Sequence, residues 1–263
     1  MEIVDRRIDE GKAFDWGKTS KDYAEFRDIY PDVFYRKIAD RGLCVNGQRV
    51  LDLGTGTGVL PRNMYRYGAE WTGTDISPEQ ITQARLLAEA QKMKIDFQAF
   101  SAENIDYPPG SFDVITACQC FWYFDYEIVV PKLAGFLKPG GTLLLLYMAW
   151  LPFEDEIAGK SEELVKNYNP CWNGAGATRH PIPIPDIAND YFVLEEHEEY
   201  DVRIPFTKET WHGRMRACRG VGASLSAEEL VQWDKDHRQL LEEIAPERFE
   251  VLHYAALAVL RKK

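Results

Sequence analysis

The stretch VLDLGTGTGVL, residues 50–60, constrains the chain more than any other. An apolar run of strand character leads into glycines 54, 56 and 58, and a helical pattern follows. Glycine tolerates left-handed backbone and lets main-chain N–H groups approach a ligand closely. A glycine loop between a strand and a helix is where open α/β sheets bind nucleotide-like ligands. The pattern downstream agrees. Strands are expected at 49–54, 69–76, 95–102 and 112–119, with helices at 59–67, 77–93 and 126–137, the last despite Pro131. "KPGG" (138–141) is expected to turn the chain into a fifth strand, "TLLLLYMA". Alternation of this kind predicts a Rossmann-like, doubly wound α/β sheet.

Beyond Trp150 the pattern loosens. A short helix is expected at 154–168, and the three prolines of "HPIPIPDI" forbid regular helix after it. A sixth strand is expected at 191–207, a Ser-capped helix at 226–244 and a closing strand at 249–262. The division read from this is a helical lead-in (1–45), a ligand-binding core (46–150), and a cap insert with the last two strands (151–263).

Charge and composition narrow the function. The 42 acids exceed the 31 bases, giving a net charge of -11, which disfavours a partner bound through phosphate neutralisation. No nucleic-acid partner is expected. The N-terminus lacks a basic segment followed by an apolar one, and the apolar run 143–151 is far short of the roughly 20 residues that span a bilayer. No membrane partner is expected. Five cysteines, at 44, 118, 120, 171 and 218, suit reduced thiols in a cytoplasm better than a disulfide framework. No H-x-x-x-H, H-E-x-x-H or C-x-x-C occurs, so no metal site is expected.

Two acids sharpen the ligand. Asp52 lies two residues before the first glycine, where it repels a pyrophosphate and suits an amino group. Asp75 ends the second strand 21 positions after Gly54, where a carboxylate accepts bonds from two ribose hydroxyls. A nicotinamide-dependent (NAD) oxidoreductase shares the sheet, the loop and Asp75, but the third glycine of its fingerprint is replaced by Val59.

With "VLDLGTGTG", "GTDIS", "SAENIDYPPGSFDVI" and "LKPGG" in order, residues 20–150 resemble the class I S-adenosylmethionine-dependent methyltransferases, in particular those with a methyltransferase type 11 domain acting on small molecules. The resemblance implies a seven-stranded sheet, mostly parallel, with an antiparallel final strand. It implies S-adenosyl-L-methionine as cofactor and a small-molecule acceptor. The loop Gly54, Thr55, Gly56 and Gly58 would hold the methionine part, Asp75 the ribose, Ile76 the adenine face, and Ala102 and Glu103 the adenine edge. Asp52 would lie near the amino group, with Tyr23 and Arg27 of the lead-in beside the cofactor. A domain that binds S-adenosylmethionine or S-adenosylhomocysteine without catalysis has the same signature.

The segment TACQCFWYFD (116–125) falls in the loop that forms the pocket floor in that family. Cys118 and Gln119 are expected beside the cofactor. Phe121, Trp122 and Tyr123 are read either as an acceptor wall or as core under the next helix. Many small-acid methyltransferases carry His-Trp here, and Phe121-Trp122 lacks that base. On an extended segment Cys118 and Cys120 would point to the same side. Candidate catalytic groups are His180, His212 and Tyr123; His237, on a charged helix face, is expected in solvent. Arg214 and Arg219, in "TWHGRMRACRGVGASLS" (210–226), are read either as surface ion pairs or as contacts to an acidic acceptor, because guanidinium pairs bidentately with carboxylate.

Overall fold

The computed structural model describes residues 2–263. Seven strands form one sheet: β1 (Arg49–Leu53), β2 (Glu70–Asp75), β3 (Asp96–Ala99), β4 (Phe112–Cys118), β5 (Leu137–Trp150), β6 (Phe192–Thr207) and β7 (Arg248–Lys262). Their order is β3-β2-β1-β4-β5-β7-β6. The pairs β1–β2, β1–β4, β2–β3 and β4–β5 are parallel. β7 is antiparallel: Lys262 Nζ, at its end, donates to the carbonyl of Leu137 at the start of β5, and the Lys263 N–H donates to Tyr191 just before β6. The doubly wound sheet is therefore present, with the strand-order reversal between β1 and β4.

The helices are α1 (Ser20–Phe26), α2 (Asp32–Ala39), α3 (Val59–Met64), α4 (Pro78–Ala90), α5 (Tyr126–Phe136), α6 (Glu156–Tyr168), α7 (Ala188–Tyr191), α8 (Lys208–Arg216) and α9 (Ala227–Ile244). Local chemistry explains their starts. Ser77 accepts from the N–H of Gln80, and Pro78 opens α4 at a position whose N–H has no helical partner. Thr207–Thr210 and Ser226–Glu229 form reciprocal caps at α8 and α9.

One expectation about β5 changes. "KPGG" is an interruption inside the strand rather than a turn before it. Phe112 pairs with Leu137 and Val114 with Thr142, so residues 138–141 loop out of the ladder, with Gly140 left-handed at φ 69°.

The chain forms two compact units. The first comprises Met1–Ile29, Ala149–Arg179 and Asp201–Tyr254; the second Tyr30–Met148, His180–Tyr200 and Ala255–Lys263. The second holds β1 to β4, and its core is aliphatic, with Val50, Leu51, Leu53, Ile115 and Leu143 to Leu145 buried. The first is helical and aromatic, built around buried Phe14, Trp211 and Trp233. Within it α1 lies on α8 so tightly that a Cβ added at Gly213 would sit 2.3 Å from the Phe26 ring.

That approach is testable. Overpacking costs about 1–3 kcal/mol, so Gly213→Val is expected to lower the denaturation midpoint. Gly135→Ala, in α5 where an added Cβ meets nothing within 4 Å, is expected to hold or raise it by up to about 1 kcal/mol. Equal midpoints for the two variants would refute the close packing of α1 on α8.

Candidate active site

In the second unit, the loop after β1 and the loop after β4 meet at the strand-order reversal. Gly54, Gly56 and Gly58 all have positive φ, between 55° and 73°. At Gly54 the reason extends beyond torsion: a Cβ there would lie 2.7 Å from Cβ of Cys120 and 2.8 Å from its Sγ. Cys120 is buried, and its thiol donates to the carbonyl of Leu53 at 3.0 Å. Burial pushes that thiol well up, with the Asp52 charge adding to the effect, so it stays protonated and packs as a small apolar side chain.

Asp52 is buried beneath the loop. Its two carboxylate oxygens accept the hydroxyls of Thr55 and Thr116, each at 2.6 Å. Burial raises its pKa to about 7 against those two hydrogen bonds, and the charge of Asp75 pushes the same way. Thr55 also donates its N–H to Thr74, pinning the loop to β2. Asp52 thus works first as a strut between β1, β4 and the loop.

Asp75 is only partly buried at the end of β2. Its Oδ2 accepts the Gly56 N–H at 2.8 Å and its Oδ1 the Ser77 N–H at 2.9 Å. Burial raises its pKa, and these two bonds oppose the rise. Ile76 follows, half-buried; Ala102 is buried, and Glu103 accepts the Asp125 N–H at 3.1 Å while its carbonyl takes Lys132 Nζ at 2.6 Å. Glu103 therefore helps to hold the start of α5.

The segment 116–125 departs from the extended reading. β4 ends at Cys118, and Gln119 is left-handed at φ 65°, its N–H bonded to Leu146 and its amide to the Met148 carbonyl. That turn sends the two thiols to different partners: Cys118 donates to the Tyr30 hydroxyl at 3.4 Å, and Cys120 to Leu53. The expected shared side fails because its premise, extended backbone, fails. Among the described residues no group of three or more His, Cys, Asp or Glu side chains converges as metal ligands.

The three aromatics that follow divide. Phe121, only 4% exposed, packs with Phe124 and Tyr126, so it is core. Trp122 is 41% exposed, lying 5.7 Å from the Tyr123 ring and 5.5 Å from Tyr147 on β5. Tyr147 in turn lies 5.5 Å from His180. Trp122, Tyr123, Tyr147 and His180 form one aromatic shelf in the second unit. Sequence reasoning missed Tyr147 and Tyr30; the single polar-edged residue within the apolar run of β5 was the available sign of the first.

In the first unit Arg27 lies over the Tyr23 ring at 5.3 Å. Arg219 is committed elsewhere than an acceptor. Its Nε and Nη2 donate to the two oxygens of buried Asp9 at 2.8 and 2.9 Å, and Nη2 also reaches Asn173. Arg214 is buried, with its guanidinium over Trp150 at 4.7 Å.

His212 is also removed from the candidate bases. It is 2% exposed, stacked on Trp233, with Nδ1 3.0 Å from Nδ1 of His237, whose Nε2 is 3.1 Å from Ser161 Oγ. His237, expected in solvent, is fully buried, because α9 turns Trp233, His237 and Leu241 inward at four-residue spacing. That spacing was the legible signal. Burial lowers His212 to about 4, with Arg238 contributing, and His237 to about 3, with His212 contributing.

Residues 51–145 match the family described as "Methyltransferase domain". A ubiquinone biosynthesis O-methyltransferase of Xanthomonas campestris pv. campestris (strain B100) is 39% identical over 101 residues, which is 38% of this chain and 42% of that protein. One from Albidiferax ferrireducens is 37% identical over 132 residues, 49% of this chain and 52% of that one. The chain thus spans about half or less of the curated relatives it matches. A putative methyltransferase from Bacillus halodurans C-125 superposes with TM-score 0.54 at 17% identity, covering 86% of this chain and 97% of its own, a likeness of fold.

The buried histidines set a pH dependence. Each ring is neutral when folded and takes a proton near pH 6.5 when unfolded, so the unfolded state binds more protons below that point. Their stability contribution is full above about pH 6.5 and is lost as pH falls toward 4 and then 3. Chemical denaturation at pH 7 and pH 5 is expected to differ by about 1–2 kcal/mol per ring. A His237→Asn variant is expected to show a shallower slope over that window, and an unchanged slope would put the titrating groups elsewhere.

Proposed function

We propose, taking residues 51–145 as a class I S-adenosylmethionine-dependent methyltransferase domain, that this protein transfers a methyl group to a small-molecule acceptor bearing an acidic group. The observation that carries the cofactor assignment is Asp75. An ionised carboxylate offers about four acceptor positions. Two are filled by the N–H groups of Gly56 and Ser77, which fix its orientation, and two remain at the open strand end for a pair of ribose hydroxyls.

The other residues fit the same ligand. Gly54, Gly56 and Gly58 leave the loop without side chains, so its main chain faces the methionine part, and Asp52 beneath it favours an ammonium. Ile76, Ala102 and Glu103 line the adenine side, with Cys118 and Gln119 at the end of β4. When bound, S-adenosylmethionine supplies a methyl group on a positively charged sulfur, open to in-line displacement.

What the chain contributes is mainly position. Holding a nucleophile in line supplies about 7–11 kcal/mol of the barrier. Trp122, Tyr123 and Tyr147 offer flat apolar faces for an acceptor ring or chain. His180, beside Tyr147, is the group suited to take a proton where the acceptor must lose one, worth about 10²–10⁴ in rate.

Calorimetry with S-adenosylmethionine and S-adenosylhomocysteine, followed by a labelled-methyl assay on metabolite extract, tests the reading. Asp75→Ala is expected to weaken both ligands by about 10–100-fold, the worth of one or two hydrogen bonds to a charged group, with the melting temperature as folding control. Binding of neither ligand by the unaltered protein would overturn the proposal. Binding without label transfer to any extract component would leave the non-catalytic reading.

A further inference from the structure

One cation of the second unit is spent on main chain rather than on an acid. Lys132 lies half-buried on α5, and its Nζ donates to two carbonyls, those of Glu103 at 2.6 Å and Ile105 at 3.2 Å. Two other lysines of this unit show the commoner arrangement, Lys37 with Glu198 and Lys138 with Asp113. Lys132 has no carboxylate within ion-pair distance among the described residues, although the chain carries 42 acids.

The two carbonyls depend on it. β3 ends at Ala99, and the chain then leaves the sheet. The Asn104 N–H turns back to the Ser101 carbonyl at 3.0 Å, and Ile105 is buried. Among the described residues no other donor reaches the carbonyl of Glu103 or of Ile105. The same loop is held from its other side, because Glu103 Oε1 accepts the N–H of Asp125, the residue that caps α5. Asp125 and Lys132 are seven positions apart, two turns or about 10 Å along one helix face. Glu103 is therefore clasped twice, by its carboxylate at the start of α5 and by its carbonyl two turns on.

What the clasp leaves unbonded points to its use. The main-chain N–H groups of Ala102 and Glu103 have no acceptor among the described residues. Ala102 is buried, and a buried N–H without an acceptor is rare in a folded chain. Two unspent donors match a base whose ring nitrogens are bare, as in adenine. They oppose a base whose N1 carries hydrogen, as in hypoxanthine, because donor would then meet donor and leave both unsatisfied.

We propose that Lys132 is a positioning residue for the base of the cofactor. Its two hydrogen bonds hold residues 102–105 with the Ala102 and Glu103 N–H groups available to adenine, and so set a preference for adenine over hypoxanthine. This rests on the S-adenosylmethionine reading above.

The test measures binding of S-adenosylhomocysteine and S-inosylhomocysteine to the full protein by calorimetry, with the melting temperature alongside. The unaltered protein is expected to favour the adenine ligand by about tenfold or more. Lys132→Gln is expected to weaken S-adenosylhomocysteine by about tenfold, the scale of one hydrogen bond to a charged group, and to cut the preference by about threefold or more. A variant that melts lower but keeps the preference assigns Lys132 to stability alone and overturns the inference, as does unchanged affinity for both ligands. An unaltered protein that binds both ligands equally well overturns it too, and leaves the methyltransferase reading intact. That comparison needs no variant, so a misfolded Lys132→Gln does not block it. Binding of neither ligand overturns the methyltransferase reading, and this inference with it.

Discussion

The candidate site depends on one close approach, that of the backbone at Gly54 to the side chain of Cys120. With any Cβ at position 54, the loops leaving β1 and β4 are forced apart. With glycine they touch, and the Cys120 thiol closes the gap by bonding to the carbonyl of Leu53. Asp52 reinforces the same junction one layer below, tying Thr55 in the β1 loop to Thr116 in β4. Asp75 then fastens the far side of the loop to β2 through Gly56. Three neighbouring strands thereby present one rigid edge at the strand-order reversal, the position where doubly wound sheets take ligands.

The parts of this edge legible in the sequence were those set by local chemistry. Alternating glycines after a strand, an acid at the end of the next strand and a Ser-Pro helix start each act within a few residues, and the structure has all three. The interruption in β5 was half legible: "KPGG" signals a break, but whether a break lies before a strand or within it depends on the pairing of Phe112 with Leu137, which is not local.

The misreadings share a cause of the opposite kind. For Arg219 the ion-pair alternative is the one the structure has, but buried rather than at the surface, with a partner, Asp9, 210 residues away. His212 and His237 looked like a base and a solvated group because each was judged alone. Together with Trp211, Trp233 and Ser161 they make a buried stack whose neutral rings are held by hydrogen bonds, which neither residue implies by itself. Long-range partners of charged groups are set by tertiary packing, and no periodicity reports them. Segment 116–125 combines both cases. Its composition foretold an aromatic element, while the left-handed Gln119 and the division between buried Phe121 and exposed Trp122 were not legible in it.

The arginines of the helical unit are neutralised unequally. A fold that supplies Asp9 to Arg219 and two acids to Arg216 has the means to neutralise a cation in the same helical unit. At Arg214 it supplies an indole face, a thiol and a neutral imidazole instead. With no acid beside it, that guanidinium relies on the indole face and the Cys218 sulfur, weaker partners than a carboxylate.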